Sequence, residues 1–169
     1  MKLPTAKTFT RSDRDLAYAL RCWNLTKTET PDFLCHFLDH KYTEDSLRMS
    51  RLVGIDQTLV NQLVCAATRS DFTVFLATFE HTRHGGCDDY RGASVQEEFD
   101  AQSELQKMVD LEGNEVAKNV EVDDSHFVQH LDFIDEEADK EDFEGHTGNA
   151  GATKTLWYRR TVRYIYTFR

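Results

Sequence analysis

Six of the ten residues 71–80 are apolar, and they do not fall only at every second position. An extended chain directs successive side chains to opposite sides, which divides these residues into two apolar sets: Phe72, Val74 and Leu76, and Phe75, Ala77 and Phe79. A strand with one face in water would place polar residues in one of the two sets. The segment therefore predicts a central strand in a sheet that is covered on both faces.

The C-terminal residues 157–168 show the alternation that is typical of a strand with one buried side. One side carries Arg160 among apolar residues, namely Tyr158, Val162, Tyr164, Tyr166 and Phe168. If that side meets the core, Arg160 requires a carboxylate partner, since a buried charge without one is costly. A hairpin is predicted upstream, where the turn formers of residues 110–114 separate 105–109 from 115–122.

Helical spacing of apolar residues is concentrated in the first half of the chain. A capping pattern predicts a helix over about 13–23, and a second short helix over about 44–52 would end at Gly54. The apolar stripe then continues a helix to about residue 70. The apolar segment 33–38 fits either a buried strand or one turn of helix, because its periodicity does not distinguish them.

These elements predict an α+β fold in which N-terminal helices pack on a small, mostly antiparallel sheet. Residues 1–11 are expected to form a flexible lead-in, and residues 12–169 a single domain. A long acidic loop over 121–150 precedes the last strand. Its first part, residues 121–144, holds eleven acids against the single Lys140, which predicts a solvated, mobile segment.

The composition narrows the classes of partner. A net charge of −10 argues against nucleic acid and fits a basic protein better. No apolar run approaches the roughly 20 residues that cross a bilayer, and the N-terminus lacks the apolar segment of a signal peptide. The cysteines, which are widely spaced, are expected to be reduced thiols: Cys22, Cys35, Cys65 and Cys87. We therefore expect an intracellular protein, cytoplasmic or nuclear, that does not bind membranes.

Two histidine groups could hold a metal. His130 and Asp132 form a His-x-Asp pair which, with His146, matches the ligand types of a non-haem Fe(II) oxygenase. Such ligands normally project from stiff strands, whereas these lie within the acidic loop, so we favour a solvated loop. No catalytic or cofactor-binding residue is assigned.

The second group is His81, His84 and Cys87, which lie in the polar segment 81–92 where Gly85 and Gly86 are expected to break any regular element. A loop of this kind could wrap a divalent metal, although structural zinc sites usually combine two ligand pairs. These three residues are the candidate metal ligands. His36 and His40 would face together only on a helix, and are expected to be ordinary core or surface histidines.

Six segments distributed over most of the chain carry a family resemblance. The two most specific groups come last in this list: 33–35 with 38–43, 52–56, 109–113, Asp139-Lys140-Glu141-Asp142-Phe143-Glu144-Gly145, Gly148-Asn149-Ala150-Gly151-Ala152 and Trp157-Tyr158-Arg159-Arg160-Thr161-Val162. The pattern resembles the C-terminal region of large fungal proteins that carry a prolyl-4-hydroxylase-like 2-oxoglutarate and Fe(II) dioxygenase domain. Residues 163–169 differ from the aliphatic strand that the resemblance leads us to expect.

In proteins of that type the iron ligands and the 2-oxoglutarate arginine lie upstream, in a core that has no counterpart here. The resemblance therefore implies a non-catalytic accessory region that accompanies a dioxygenase core, and Fe(II) and 2-oxoglutarate are implied only for that absent core. One alternative is a stand-alone acidic module that binds a basic protein. Another is a small metal-binding protein that uses His81, His84 and Cys87.

Overall fold

The computed structural model describes residues 33–67, 72–88, 94–129, 133, 136–146 and 151–167. The predicted lead-in and the helix over 13–23 lie outside these residues. Short 3-10 turns occur at Met49–Arg51 and Asp124–His126. The helix and strands are β1 (Phe33–Phe37), α1 (Gly54–Ala67), β2 (Phe72–Cys87), β3 (Glu97–Val109), β4 (Glu115–Glu121), β5 (Lys140–Glu144) and β6 (Ala152–Thr167).

The strands form one six-stranded sheet in the order β1-β6-β2-β3-β4, and neighbouring strands run antiparallel. β2 and β6 pair along almost their whole lengths at the centre of the sheet. β5 pairs with the same edge of β6 as β1, but nearer to the start of that strand. The predicted central strand and the predicted hairpin of β3 and β4 are confirmed, and segment 33–38 forms a strand.

The core has a cluster of buried residues on each face of the sheet. The helix face, covered by α1, contains Leu34, Leu38, Leu47, Leu52, Val60, Leu63, Val74, Leu76 and Val109. The opposite, aromatic face contains Cys35, Ala77, Phe79, Leu105, Met108, Val122, Phe127, Phe133, Tyr158, Val162 and Tyr164. The two apolar sets of β2 therefore pack on opposite faces of the sheet, as the alternation predicted.

The predicted fold class is wrong. The described residues form a sheet with α1 as its single α-helix, not N-terminal helices packed on a small sheet. Segment 44–52 forms turns because Leu47 and Leu52 enter the core separately, each 2% exposed, instead of lining one helical face. Gly54, with φ of +57°, begins α1 rather than ending a helix.

Two predicted irregular regions contain strands. β2 continues through Gly85 and Gly86 to Cys87, since Gly85 lets the backbone of β3 approach closely. Residues 140–144 of the expected acidic loop form β5, and Phe133 from the same region is buried on the aromatic face. No helix among the described residues has the length and apolar character to span a bilayer.

Candidate functional site

The outer edge of β6 is interrupted. β1 pairs with residues 162–166 of β6 and β5 pairs with residues 153–157, so residues 158–161 lie between the two edge strands. The backbone N–H of Leu38 donates to Thr161 O at 2.8 Å from one side, and the N–H of Asp139 donates to Trp157 O at 2.8 Å from the other. The backbone of Arg159 is left facing the gap.

The side chain of Asp139 fills this gap. Its Oδ2 accepts the backbone N–H of Arg159 at 2.7 Å, and its Oδ1 accepts Lys41 Nζ at 2.5 Å. Arg160 Nη1 also donates to Oδ2, at 3.3 Å. Burial alone would raise the pKa of Asp139, but the hydrogen bonds from Lys41 and from the Arg159 N–H bring the pKa below its ordinary value.

Arg160 connects the gap to the aromatic face. Its Nη2 forms an ion pair with Glu136, and its guanidinium carbon lies 5.5 Å from the centre of the Phe133 ring. Phe133 in turn stacks on Tyr158, with ring centroids 5.1 Å apart. The prediction that Arg160 has a carboxylate partner is confirmed, because both Glu136 and Asp139 pair with it.

Asp56 fixes the loop that presents Lys41. This carboxylate, in the first turn of α1, is 1% exposed. It accepts the backbone N–H groups of Asp39 at 2.8 Å and of His40 at 3.1 Å, and lies 2.8 Å from His40 Nδ1. The hydroxyl of Tyr42 also donates to it, at 3.0 Å. The loop after β1 is therefore folded around one buried charge.

Tyr42 completes the link between α1 and β6. Its hydroxyl accepts the backbone N–H of Val53 at 3.1 Å, and its backbone N–H donates to Thr161 Oγ1 at 2.8 Å. Burial raises the pKa of Tyr42, and the hydrogen bond to Asp56 adds to the rise. The tyrosine therefore stays a neutral donor that holds Lys41 beside Asp139.

These groups line a cleft of about 430 Å³, which we call the edge cleft. It is bounded by Lys41, Tyr42, Thr43, Glu44, Thr78, Phe79, Glu80, Gln106, Asp139, Arg159, Arg160 and Thr161. Arg159 Nε donates to Glu80 at 2.6 Å, while the side chain of Arg159 remains 64% exposed at the rim. The hydroxyl oxygen of Thr78 is buried and has no hydrogen-bond partner among the described residues. A cleft of this kind can recognise polar groups.

The structure does not bring the candidate metal ligands His81, His84 and Cys87 together. All three lie on β2, and His81 and His84 are three residues apart, so they point to opposite faces of the sheet. His81 Nδ1 lies 2.8 Å from Ser103 Oγ, and His84 Nδ1 lies 3.0 Å from Thr155 Oγ1. His81 and Cys87 are about 20 Å apart along a strand. In the part of the chain that the structure describes, no three His, Cys, Asp or Glu side chains group as metal ligands.

The other histidine candidates lie partly outside the described residues. His130 and Asp132 lie outside the described residues, and His146 is exposed just after β5. His36 is buried in β1, where its Nδ1 accepts Arg163 Nη2 at 2.9 Å. His40 lies in the following loop on Asp56. His36 and His40 therefore do not form a pair of metal ligands.

Sequence reasoning missed Lys41, Asp56 and Asp139 as a connected group. They lie far apart in the sequence, in segments 38–43, 52–56 and 139–145, and no local pattern groups them. Residues of segments 38–43, 139–145 and 157–162 line the edge cleft, whereas Asp56 is buried behind it and bonds to the loop after β1. Comparisons with models of protein families, with curated proteins and with solved structures found no match.

Proposed function

We propose that this chain is a non-catalytic accessory domain that binds a protein partner through the edge cleft, and that the partner is a prolyl-4-hydroxylase-like dioxygenase core. The observation that carries the proposal is that Lys41, Arg159 and Arg160 all donate hydrogen bonds to Asp139. A catalytic acid or base needs a pKa near the working pH and an unoccupied lone pair or proton. Asp139 has a lowered pKa and its oxygens are occupied, so its role is to hold the cleft in shape.

The cations at the rim provide the means of recognition. Arg159 uses its Nε on Glu80, and no described residue bonds to its two Nη groups. The side chain of Lys41 is 54% exposed although it contacts Asp139. Because their positions are set by these internal bonds, little side-chain entropy remains to be lost when a partner carboxylate binds. An arginine with free Nη groups is suited to donate two hydrogen bonds to such a carboxylate.

The resemblance and the cleft involve the same residues. Four of the segments that resemble the dioxygenase tail meet at or directly behind the cleft, although they are far apart in the chain. This supports the edge cleft as the surface that faces a dioxygenase core. No iron or 2-oxoglutarate ligand is assigned to this chain, and the oxygenase chemistry would belong to the partner.

The alternative of a stand-alone acidic module receives less support. It requires the carboxylates of residues 121–144 to be available to a basic protein. Several of them instead bond within the chain. Asp123 caps the 3-10 turn that follows β4, Glu136 pairs with Arg160, and Glu141 pairs with Lys154 at 2.7 Å.

Binding to a separately produced dioxygenase core of the resembled type tests the proposal. We expect the purified chain to bind that core by isothermal titration calorimetry, and Arg159→Ala to weaken binding by about tenfold. Lys118→Ala is the matched control, because Lys118 is a similarly exposed cation on β4, at the opposite edge of the sheet. Equal binding by both variants would contradict a role for the cleft.

The non-catalytic part of the proposal has its own assay. With Fe(II) and 2-oxoglutarate added, the chain alone should not decarboxylate 2-oxoglutarate above background. Turnover that is lost in His130→Ala would show that the chain contains its own iron site, and the accessory role would be wrong.

A further inference from the structure

The edge of the sheet opposite the edge cleft ends in an open segment of β3. β4 pairs with residues 104–109 of β3, and the last bond along this edge runs from the N–H of Val122 to Ser103 O, at 3.0 Å. Residues 97–102 extend beyond this point and pair with β2 on their inner side, except Phe99, which lies at a shift in the β2–β3 register. No residue of the described ranges pairs with their outer side.

The open segment has the length that an added strand needs, and its backbone faces outward at Ala101. Its six residues match the usual length of a β-strand of about 5–6 residues. Because Ser103 directs its carbonyl outward to Val122, the backbone groups of Ala101, two residues earlier, also face outward. Ala101 is exposed and lies between two residues that face β2.

The side chains along this segment define the chemistry of an occupant. Glu97, Glu98 and Asp100 are exposed acids, and Arg83 pairs with one of them, at 2.5 Å from Glu98. Phe99 lies between the acids and is 56% exposed. Its ring centroid is 5.9 Å from that of His84, and a methyl group on Gly86 would lie 3.2 Å from its Cζ. The phenyl ring is thus an exposed apolar contact beside His84.

Charge decides among the possible occupants. A second copy of the chain would place these acids opposite acids, and like charges directly opposite one another destabilise strand pairs. A segment with basic side chains would instead neutralise them, and an apolar side chain between the basic ones would contact Phe99. We propose that residues 97–102 bind a basic, extended peptide segment of a partner protein by adding it to the sheet as a further strand. This surface is distinct from the edge cleft and does not depend on the function proposed above.

A short peptide of alternating lysine and valine, about six residues long and labelled with fluorescein, is the probe. We expect fluorescence anisotropy to show binding that weakens with added salt, and a matched peptide of glutamate and valine not to bind. Methylating the backbone nitrogens along one edge of the lysine peptide removes the donors of an added strand, so it should weaken binding by about tenfold or more. Equal binding of the methylated peptide, or of the glutamate peptide, would overturn the proposal, as would no binding at all.

A substitution in the protein provides the second arm. Ala101→Pro removes an outward N–H that the β2–β3 pairing does not use, and proline is tolerated at such edge positions. We expect this variant to keep the thermal unfolding transition but lose peptide binding. Asp100→Lys, at an exposed side chain, should also weaken binding while leaving the backbone unchanged. If both variants bind the lysine peptide as the unchanged protein does, the peptide lies elsewhere and the proposal fails.

Discussion

Asp139 Oδ2 accepts the backbone N–H of Arg159 at 2.7 Å, in the interval where neither β1 nor β5 pairs with β6. A side-chain carboxylate thus occupies the place that a backbone carbonyl would take in an uninterrupted sheet. The same carboxylate accepts Lys41 from the loop after β1. One residue therefore joins two edge strands that do not contact each other through their own backbones.

Replacing Asp139 by alanine should lower the free energy of unfolding by about 2 kcal/mol, because the N–H of Arg159 loses its partner and Lys41 loses a charge-assisted bond. Asp139→Asn should be milder, since the amide oxygen still accepts the N–H. Urea unfolding monitored by circular dichroism measures both. Glu144→Gln is a suitable control for an exposed acid of the same region. A loss for Asp139→Ala no larger than that of the control would contradict the bridging role.

Stability should depend on Asp139 at acid pH. The folded protein holds the pKa of Asp139 below the ordinary value of 3.8, so its stabilising contribution is complete above that value and is lost as pH falls through the lower, folded pKa. Asp110 and Asp123 also have lowered pKa values and contribute in the same direction. Unfolding free energies should thus fall less steeply below pH 3.8 in Asp139→Asn than in the unchanged protein. Parallel pH curves would rule out the lowered pKa.

Asp56→Ala should be more damaging than any change at the surface. It leaves the N–H groups of Asp39 and His40 and the hydroxyl of Tyr42 without an acceptor in a buried site, which costs about 3 kcal/mol or more. Tyr42→Phe, which removes one donor of the same network, should cost about 1 kcal/mol. Guanidinium unfolding of both variants distinguishes the two effects, and similar losses would indicate that Asp56 is not the centre of the network.

The adjacent glycines of β2 should respond differently to alanine. A methyl group on Gly85 would overlap the backbone oxygen of Glu97 and lie 2.6 Å from Val95 Cγ1, whereas one on Gly86 meets the movable ring of Phe99. Gly85→Ala should therefore lower the melting temperature, with a loss of about 1–3 kcal/mol, while Gly86→Ala should be nearly neutral. If Gly86→Ala were the more damaging of the two, the close packing of β2 and β3 at Gly85 would be contradicted.

Elemental analysis tests the remaining metal hypothesis. Because His81 and His84 point to opposite faces of the sheet, we expect substoichiometric zinc and iron in protein purified without chelators, and no change in His84→Ala. One zinc ion per chain that disappears in His84→Ala would restore His81, His84 and Cys87 as ligands.

The carboxylate partner of Arg160 shows what a local sequence pattern can and cannot predict. Its place among the apolar residues of β6 required a carboxylate, and Glu136 and Asp139 provide it. The pattern did not identify which acids would do so, because many acids of residues 121–144 were equally plausible. The failed helix over 44–52 has a related cause, since Leu47 and Leu52 each enter the core from turns, and the local pattern did not show where the core lies.

Sequence patterns alone predicted the two-sided burial of β2, the hairpin of β3 and β4, and the burial of Tyr158, Val162 and Tyr164 in β6, but not that of Thr161 and Arg163 on the other side of that strand. Each of these follows from a repeat of two residues or from a turn, which are properties of neighbouring residues. The gap in the edge of β6, the buried position of Asp56 and the strand through Gly85 could be seen only in the folded protein. These features depend on groups that are far apart in the chain, such as Lys41 and Asp139, which are separated by 98 residues. Such groups come into contact only when the whole sheet has formed.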